Sequence, residues 1–232
     1  MIPDVLRLSI APMPRGRRFQ LLVHVNDVEL TSAADYLGME PFSVLLPVNL
    51  LAATAEPHTV SIGRCRGCEL RGCCDSKVTI TREGNLVHWD WGKWPLMPRR
   101  VTFLATQYEA EIARAALDDS WETPPLTAGR LVLTNTNLAH LGRFGLSFDF
   151  LLEDVRDRES FHVCLVGQGY QVYLGFRWDG RSPTDLAAVI CATLALPPQQ
   201  WDAIWWPNLW ELRDTPPAFA GPSWRRDPQF ES

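Results

Sequence analysis

The residues best equipped for chemistry lie between Gly63 and Val78, which reads Gly-Arg-Cys-Arg-Gly-Cys-Glu-Leu-Arg-Gly-Cys-Cys-Asp-Ser-Lys-Val. Cys65, Cys68, Cys73 and Cys74 fall within ten positions there, spaced Cys-x2-Cys-x4-Cys-Cys. The two-residue gap between Cys65 and Cys68 is that of a zinc knuckle, in which two thiolates approach one ion while small residues free backbone amides to face sulfur. Cys73 and Cys74 are adjacent, and neighbouring side chains on a strand point to opposite faces. The pattern therefore predicts three thiolates and one outside ligand. His88 is the leading candidate, with Asp75 and His58 behind it, and the ligand set is drawn from Cys65, Cys68, Cys73, Cys74 and His88. A closed tetrahedral zinc site of this kind is structural. Two alternatives stand beside it: a Cys68–Cys73 disulfide closing a turn, and thiols without metal. In the second, Cys73 or Cys74 beside Arg64, Arg66 and Arg71 is a candidate reactive nucleophile, because nearby positive charge lowers a thiol pKa.

Tryptophan is the other excess, at ten residues. Trp89, Trp91 and Trp94 follow the cysteine segment, and Trp201, Trp205, Trp206 and Trp210 crowd a C-terminal stretch. Positions 201 and 205 share a helical face with Leu209 and Leu212, and Pro207 interrupts that helix. Such rings either fasten the segment to a sheet or form an aromatic surface for a partner protein, a base or a sugar. Asp149, Glu153, Asp154, Asp157 and Glu159, interleaved with Arg156 and Arg158, read as a solvated turn more readily than as a cation site. The chain has no His-Glu-x-x-His, Gly-x-Ser-x-Gly, phosphate-loop or dinucleotide signature. His24 and His162 sit in strand-like segments, and Cys164 and Cys191 lie in apolar surroundings as small hydrophobes.

The elements that must position these residues follow from hydrophobic period. Val5 to Ile10 and Phe19 to Val25 alternate at period two around Pro12, Pro14 and Gly16, which predicts an opening hairpin. Pro47 suits the first position of a short helix within Leu45 to Ala55. Thr59 to Ile62 and Val78 to Thr81 flank the cysteines as hairpin strands, followed by strands at Leu86 to Trp91 and Arg100 to Leu104. Between Thr106 and Leu117 the period changes, and Tyr108, Ile112, Ala115 and Ala116 share one helical face. Glu122 to Gly129 has linker composition. Beyond it, Arg130 to Thr134, Gly145 to Leu152, Phe161 to Val166 and Tyr170 to Trp178 read as strands, with Gly167-Gln168-Gly169 as a tight connection. Asp185 to Leu194 reads as a helix capped by Ser182 with Pro183 first. Pro197 to Ser232 reads as an irregular Trp-rich arm.

The expected fold class is thus α+β: antiparallel sheets, one closing helix per half, and a Trp-rich C-terminal arm. The expected division is an N-terminal half, residues 1–121, holding the cysteine hairpin, and a C-terminal half, residues 122–232, the two packing as separate domains or as one. At 232 residues with 46% hydrophobic and 21% charged side chains, the chain can bury a substantial core. Its net charge of −5 is spread evenly, which disfavours non-specific nucleic-acid binding. The N-terminal residues lack the layout of a signal peptide, and no apolar run reaches membrane-spanning length. The expected location is cytoplasmic, where clustered cysteines stay reduced.

The run Gly63, Cys65, Cys68, Gly72, Cys73 into Val78 to Ile80, then Val87-His88-Trp89, Phe103 and Tyr108, resembles uncharacterised bacterial proteins with a cysteine-bearing β-hairpin, a Trp strand and a Tyr-containing helix. The resemblance covers roughly residues 60–116, and those proteins commonly have one residue between the first two cysteines where this chain has two. It implies a bacterial origin and no activity. Together these readings point to a non-enzymatic interaction protein of the immunity or adaptor kind, with a protein partner and no membrane. The alternatives are a thiol- or metal-dependent enzyme and a single-stranded nucleic-acid binding module.

Overall fold

The structure, a computed structural model, describes residues 2–14, 18–33, 36–65, 75–91, 100–153 and 157–227. It is an α+β protein built on three largely antiparallel sheets. The chain divides into two compact units, Met1–Trp121 and Glu122–Ser232.

The first unit runs β1 (Leu6–Pro12), β2 (Phe19–Val25), β3 (Val28–Glu29), α1 (Leu30–Ala33), β4 (Tyr36–Gly38), α2 (Pro41–Leu45), β5 (His58–Cys65), β6 (Ser76–Glu83), β7 (Leu86–Trp91), β8 (Arg100–Leu104) and α3 (Ala105–Leu117). Strands β1 to β3 form one sheet, and β4 to β8 form a second in sequence order. The margins of the two sheets meet. Leu21 bridges Met39 beside β2, and Asp4 bridges Phe103 beside β1. Leu21 N donates to Met39 O at 2.8 Å, and Asp4 N donates to Thr102 O at 2.7 Å. The two sheets therefore close into a barrel, and closure removes most of the unpaired edge that an open sheet exposes. Period-two side chains fill its interior: Leu6, Leu8, Leu21, Val23, Val25, Val60, Val78, Ile80, Val87, Trp89, Trp91, Val101 and Phe103 are all buried in one cluster.

Beyond Asp4 the margin of β1 has no strand of the described residues beside it, and α3 supplies partners with its side chains. Gln107 accepts from Leu6 N at 3.3 Å and donates to Leu6 O at 2.7 Å. Glu111 accepts from Leu8 N at 2.6 Å, and Arg114 donates to Leu8 O at 2.5 Å. The expected helical face of Tyr108, Ile112 and Ala115 is buried against the barrel, with Ala116 at its margin. Tyr108 accepts from Trp89 Nε1 at 3.1 Å and donates to Leu51 O at 2.5 Å. Burial pushes its phenol well above the ordinary value, so the ring stays a neutral donor. Residues 45–55 hold no helix of the kind expected after Pro47. The helix there ends at Leu45 and begins at Pro41, where the fixed proline φ suits a first position equally well.

The second unit runs α4 (Pro124–Asn135), α5 (Leu138–Gly142), β9 (Ser147–Glu153), β10 (Ser160–Gly167), β11 (Tyr170–Arg177), α6 (Pro183–Leu194), β12 (Ile204–Pro207) and β13 (Arg225–Arg226). Its sheet has the order β13-β12-β11-β10-β9. Phe161, Val163, Leu165, Val172, Leu174 and Trp205 pack in one core with Ala128 and Val132 of α4 and Leu186 and Ile190 of α6. Helix α6 begins as expected, with Ser182 Oγ accepting from Asp185 N at 3.2 Å.

Two expectations are corrected here. Residues 130–134 are not a strand, because α4 runs through both the expected linker and that segment. Ala128 and Val132, one helical turn apart, are its buried contacts. The C-terminal stretch through Asp227 is largely irregular, as expected, but Trp201 and Trp205 do not share a helix. Residues 204–207 form β12 and pair with β11, Trp205 opposite Val172.

Candidate functional site

The end of the barrel where the cysteine segment emerges is built by β4, β5 and β6. Tyr36 pairs with Cys65, Leu37 with Arg64, and Gly38 with Gly63, while Gly63 also faces Ser76 across an irregularity in β5. Tyr36, Ile62, Gly63, Ser76 and Trp91 line a narrow cleft with Leu30 and Thr31. It has room for roughly one water molecule.

Polar groups at this root are buried without partners. Among the described residues, none hydrogen-bonds to Ser76 Oγ, Asp75 Oδ1 or Arg64 Nε. Ser76 and Arg64 are buried residues. Ser61 Oγ donates to the other oxygen of Asp75 at 2.9 Å. Arg64 donates from Nη2 to the thioether sulfur of Met13 at 3.0 Å, and its Nη1 lies 3.5 Å from Glu40 Oε1. The same carboxylate oxygen is 3.1 Å from Nη1 of Arg18. Buried polar atoms are nearly always paired, so three such atoms at one hairpin root mark it out.

The zinc site expected at this hairpin is corrected. Among the described residues no group of three or more His, Cys, Asp and Glu side chains comes together to hold a metal ion. Cys65 is half-buried at the end of β5. Cys68, Cys73 and Cys74 lie outside the described residues. The two expected histidine ligands sit at the opposite end of the sheet. His58 begins β5 and Cys65 ends it, about seven residues or ~23 Å away along an extended strand. His88 pairs with Thr81, one position past the Ile80 that faces His58. A zinc ion needs its nitrogen and sulfur ligands within about 2.0–2.3 Å, so neither histidine can join a site at Cys65. Both imidazoles are occupied locally. His88 Nδ1 lies 2.8 Å from Thr102 Oγ1, with Glu83 3.5 Å from Nε2, and His58 Nε2 lies 2.9 Å from Leu50 O.

The remaining candidates fall out differently. Asp149 accepts from Gln171 Nε2 at 3.1 Å. Asp157 accepts from Ser160 Oγ at 2.9 Å and from Arg177 at 2.5 Å, and hydrogen bonds from Ser160 and from the Glu159 amide hold its carboxyl below the usual range. Asp157 organises the turn before β10, whereas Asp149 lies within β9. Residues 154–156 lie outside the described set. His24 bonds Ser9 across its hairpin at 2.9 Å. Cys164 is fully buried and Cys191 is half-buried, its sulfur 3.7 Å from Thr136 Oγ1.

Most of the tryptophans are structural. Trp201 and Trp224 stack with their rings 6.2 Å apart and donate to the carbonyls of Leu196 and Pro198. Trp94 lies outside the described residues. Trp210 is the exception at 73% exposed, beside Leu209 at 53%. The Arg213 guanidinium stands 4.2 Å above the Trp210 ring. The turn carrying them is seated on the tip of the β10–β11 hairpin, where Asn208 N donates to Gly169 O at 2.7 Å. Gly169 has a φ of +84°, and a Cβ there would come within 2.7 Å of Leu212, so only glycine permits this close seat.

No protein-family model, no curated protein and no solved structure matches this chain. Sequence reasoning did not single out Arg64 as a buried group. The available signal was its place at period two after Val60 and Ile62, which carries the inward pattern of β5 up to the hairpin.

Proposed function

We propose that this chain is a binding protein of the immunity or adaptor kind, which works in the bacterial cytoplasm by engaging a protein partner through the turn at Trp210. The observation that carries the reading is an exposed tryptophan with an arginine stacked on it, displayed on a turn that is itself packed. Tryptophan and arginine are the residues most enriched among those that dominate binding energy at protein interfaces. A rigidly held ring also loses little entropy when it is covered. The overall charge of −5 favours a basic partner.

The test is capture from a bacterial host lysate with the wild-type chain and with Trp210→Ala. The expected result is one stoichiometric protein retained by the wild type and reduced at least tenfold by the variant, a loss typical of a dominant contact. Equal capture by both chains, or no stoichiometric partner, would sink the proposal. Salt-sensitive retention on single-stranded DNA that disappears with Trp210→Ala would assign the turn to base stacking instead.

A further inference from the structure

Arg64 brings a positive charge into the protein and leaves it nearly without acceptors. A guanidinium carries five N–H donors. Here the side chain is only 8% exposed, and among the described residues its one hydrogen bond is to the sulfur of Met13, a weak acceptor. Glu40 lies 3.5 Å from Nη1, at the opposite end of the group, and shares its charge with Arg18. Nε has no partner. Nε and Nη2 form one edge of the guanidinium plane, the fork that grips two oxygens of a carboxylate or phosphate in parallel. Among the described residues no oxygen accepts a hydrogen bond from that edge.

We propose that the Nε–Nη2 edge of Arg64 is a binding site for an oxyanion, a carboxylate or a phosphate group. Three features favour an anion there over a structural role for the cation. Glu40 Oε1 is approached by both Arg64 and Arg18, so Arg64 does not have that carboxylate oxygen to itself. Buried charge is retained at a cost in stability unless it is paired and hydrogen-bonded, and an oxyanion supplies both. Met13 occupies the place of the acceptor, and its unbranched thioether can swing aside at little cost. A water molecule at the same edge would satisfy the donors too, but its effect would not depend on which anion is present.

The experiment uses the full chain in Tris chloride, free of other oxyanions, titrated with sodium phosphate, sodium acetate or sodium chloride at matched ionic strength. The readouts are the unfolding midpoint and the Arg64 Nε–Hε resonance. The expected result is a saturable rise of the midpoint with phosphate or acetate but not with chloride, together with a shift of that resonance. Arg64→Met should abolish the anion-specific rise. Arg64→Lys, which keeps the charge and loses the fork, should weaken it about tenfold or more, the worth of one charge-assisted hydrogen bond. A response to phosphate alone would identify a phosphate site, and a response to acetate a carboxylate site. Equal responses to all three salts, or an anion-specific rise that survives in Arg64→Met, would overturn the proposal. Should Arg64→Met fail to fold, the wild-type resonance decides: if it does not move with either oxyanion, the site does not exist.

Discussion

At the scale of single residues, the chain's charges fall into those that hold structure and those that lack a structural explanation. Glu111 belongs to the first kind. Burial alone would raise its pKa, but hydrogen bonds from Arg114 and from the Leu8 amide outweigh that and hold the carboxyl below its ordinary 4.5. A carboxylate depressed in the folded state contributes stability that is fully present above the unfolded value and is lost as pH falls through the folded one. The contribution of Glu111 should thus be complete above about pH 4.5 and decline below it. Denaturant midpoints measured at pH 6 and pH 3 should show a smaller acid loss in Glu111→Gln than in the wild type; an identical loss would show that Glu111 does not feel this environment. Arg64 belongs to the second kind, with a buried Nε that no described residue accepts from. Sequence reasoning took Arg64 as a possible activator of nearby thiols. Its burial depends on Met13, Leu37 and Glu40, which arrive from other strands and loops.

At the scale of elements, the barrel depends on how its margins are sealed. Helix α3 does this for β1 with three side chains. The seam between β2 and β4 relies instead on close backbone approach: Gly38 lies against the carbonyl of Leu21, and its amide donates to Gln20 Oε1 at 2.9 Å. A Cβ at position 38 would run into that carbonyl, and backbone cannot swing away as a side chain can. Gly38→Ala should therefore destabilise the first unit by about 2 kcal/mol, within the range for overpacking, read as a lower denaturant midpoint with an unchanged slope. A variant of wild-type stability would mean the seam is looser than it looks. Elements with a strong local signature were legible in advance. Both α3 and α6 announce themselves by a 3.6-residue period, and α6 also by its Ser-Pro start. Helix α4 was not legible, because Leu131-Val132-Leu133 is a continuous apolar run that suits a buried strand or a buried helix equally. The Pro124-Pro125 pair reads as a linker as readily as a helix start.

At the scale of the whole molecule, two compact units each enclose a core of their own, one within the barrel and one between the second sheet and its helices. A unit with its own core has what it needs to fold alone. Residues 1–121 and 122–232, expressed separately, should each unfold in a single cooperative transition in urea. A gradual, non-cooperative loss of signal from either would show that its core is incomplete. No helix of the described residues is long and apolar enough to cross a membrane. By itself the sequence determined the α+β class, the hairpins around Pro14 and Gly169, and the helices α3 and α6. Those features follow from periodicity, capping and turn chemistry among residues a few positions apart. Only the tertiary structure decided that the first two sheets close on each other, that His58 and His88 lie at the far end from Cys65, that Trp210 alone among the C-terminal tryptophans stands in solvent, and that Arg64 is buried with an Nε that no described residue pairs. Those outcomes depend on strand register and on neighbours far apart in sequence, and no window of residues contains them.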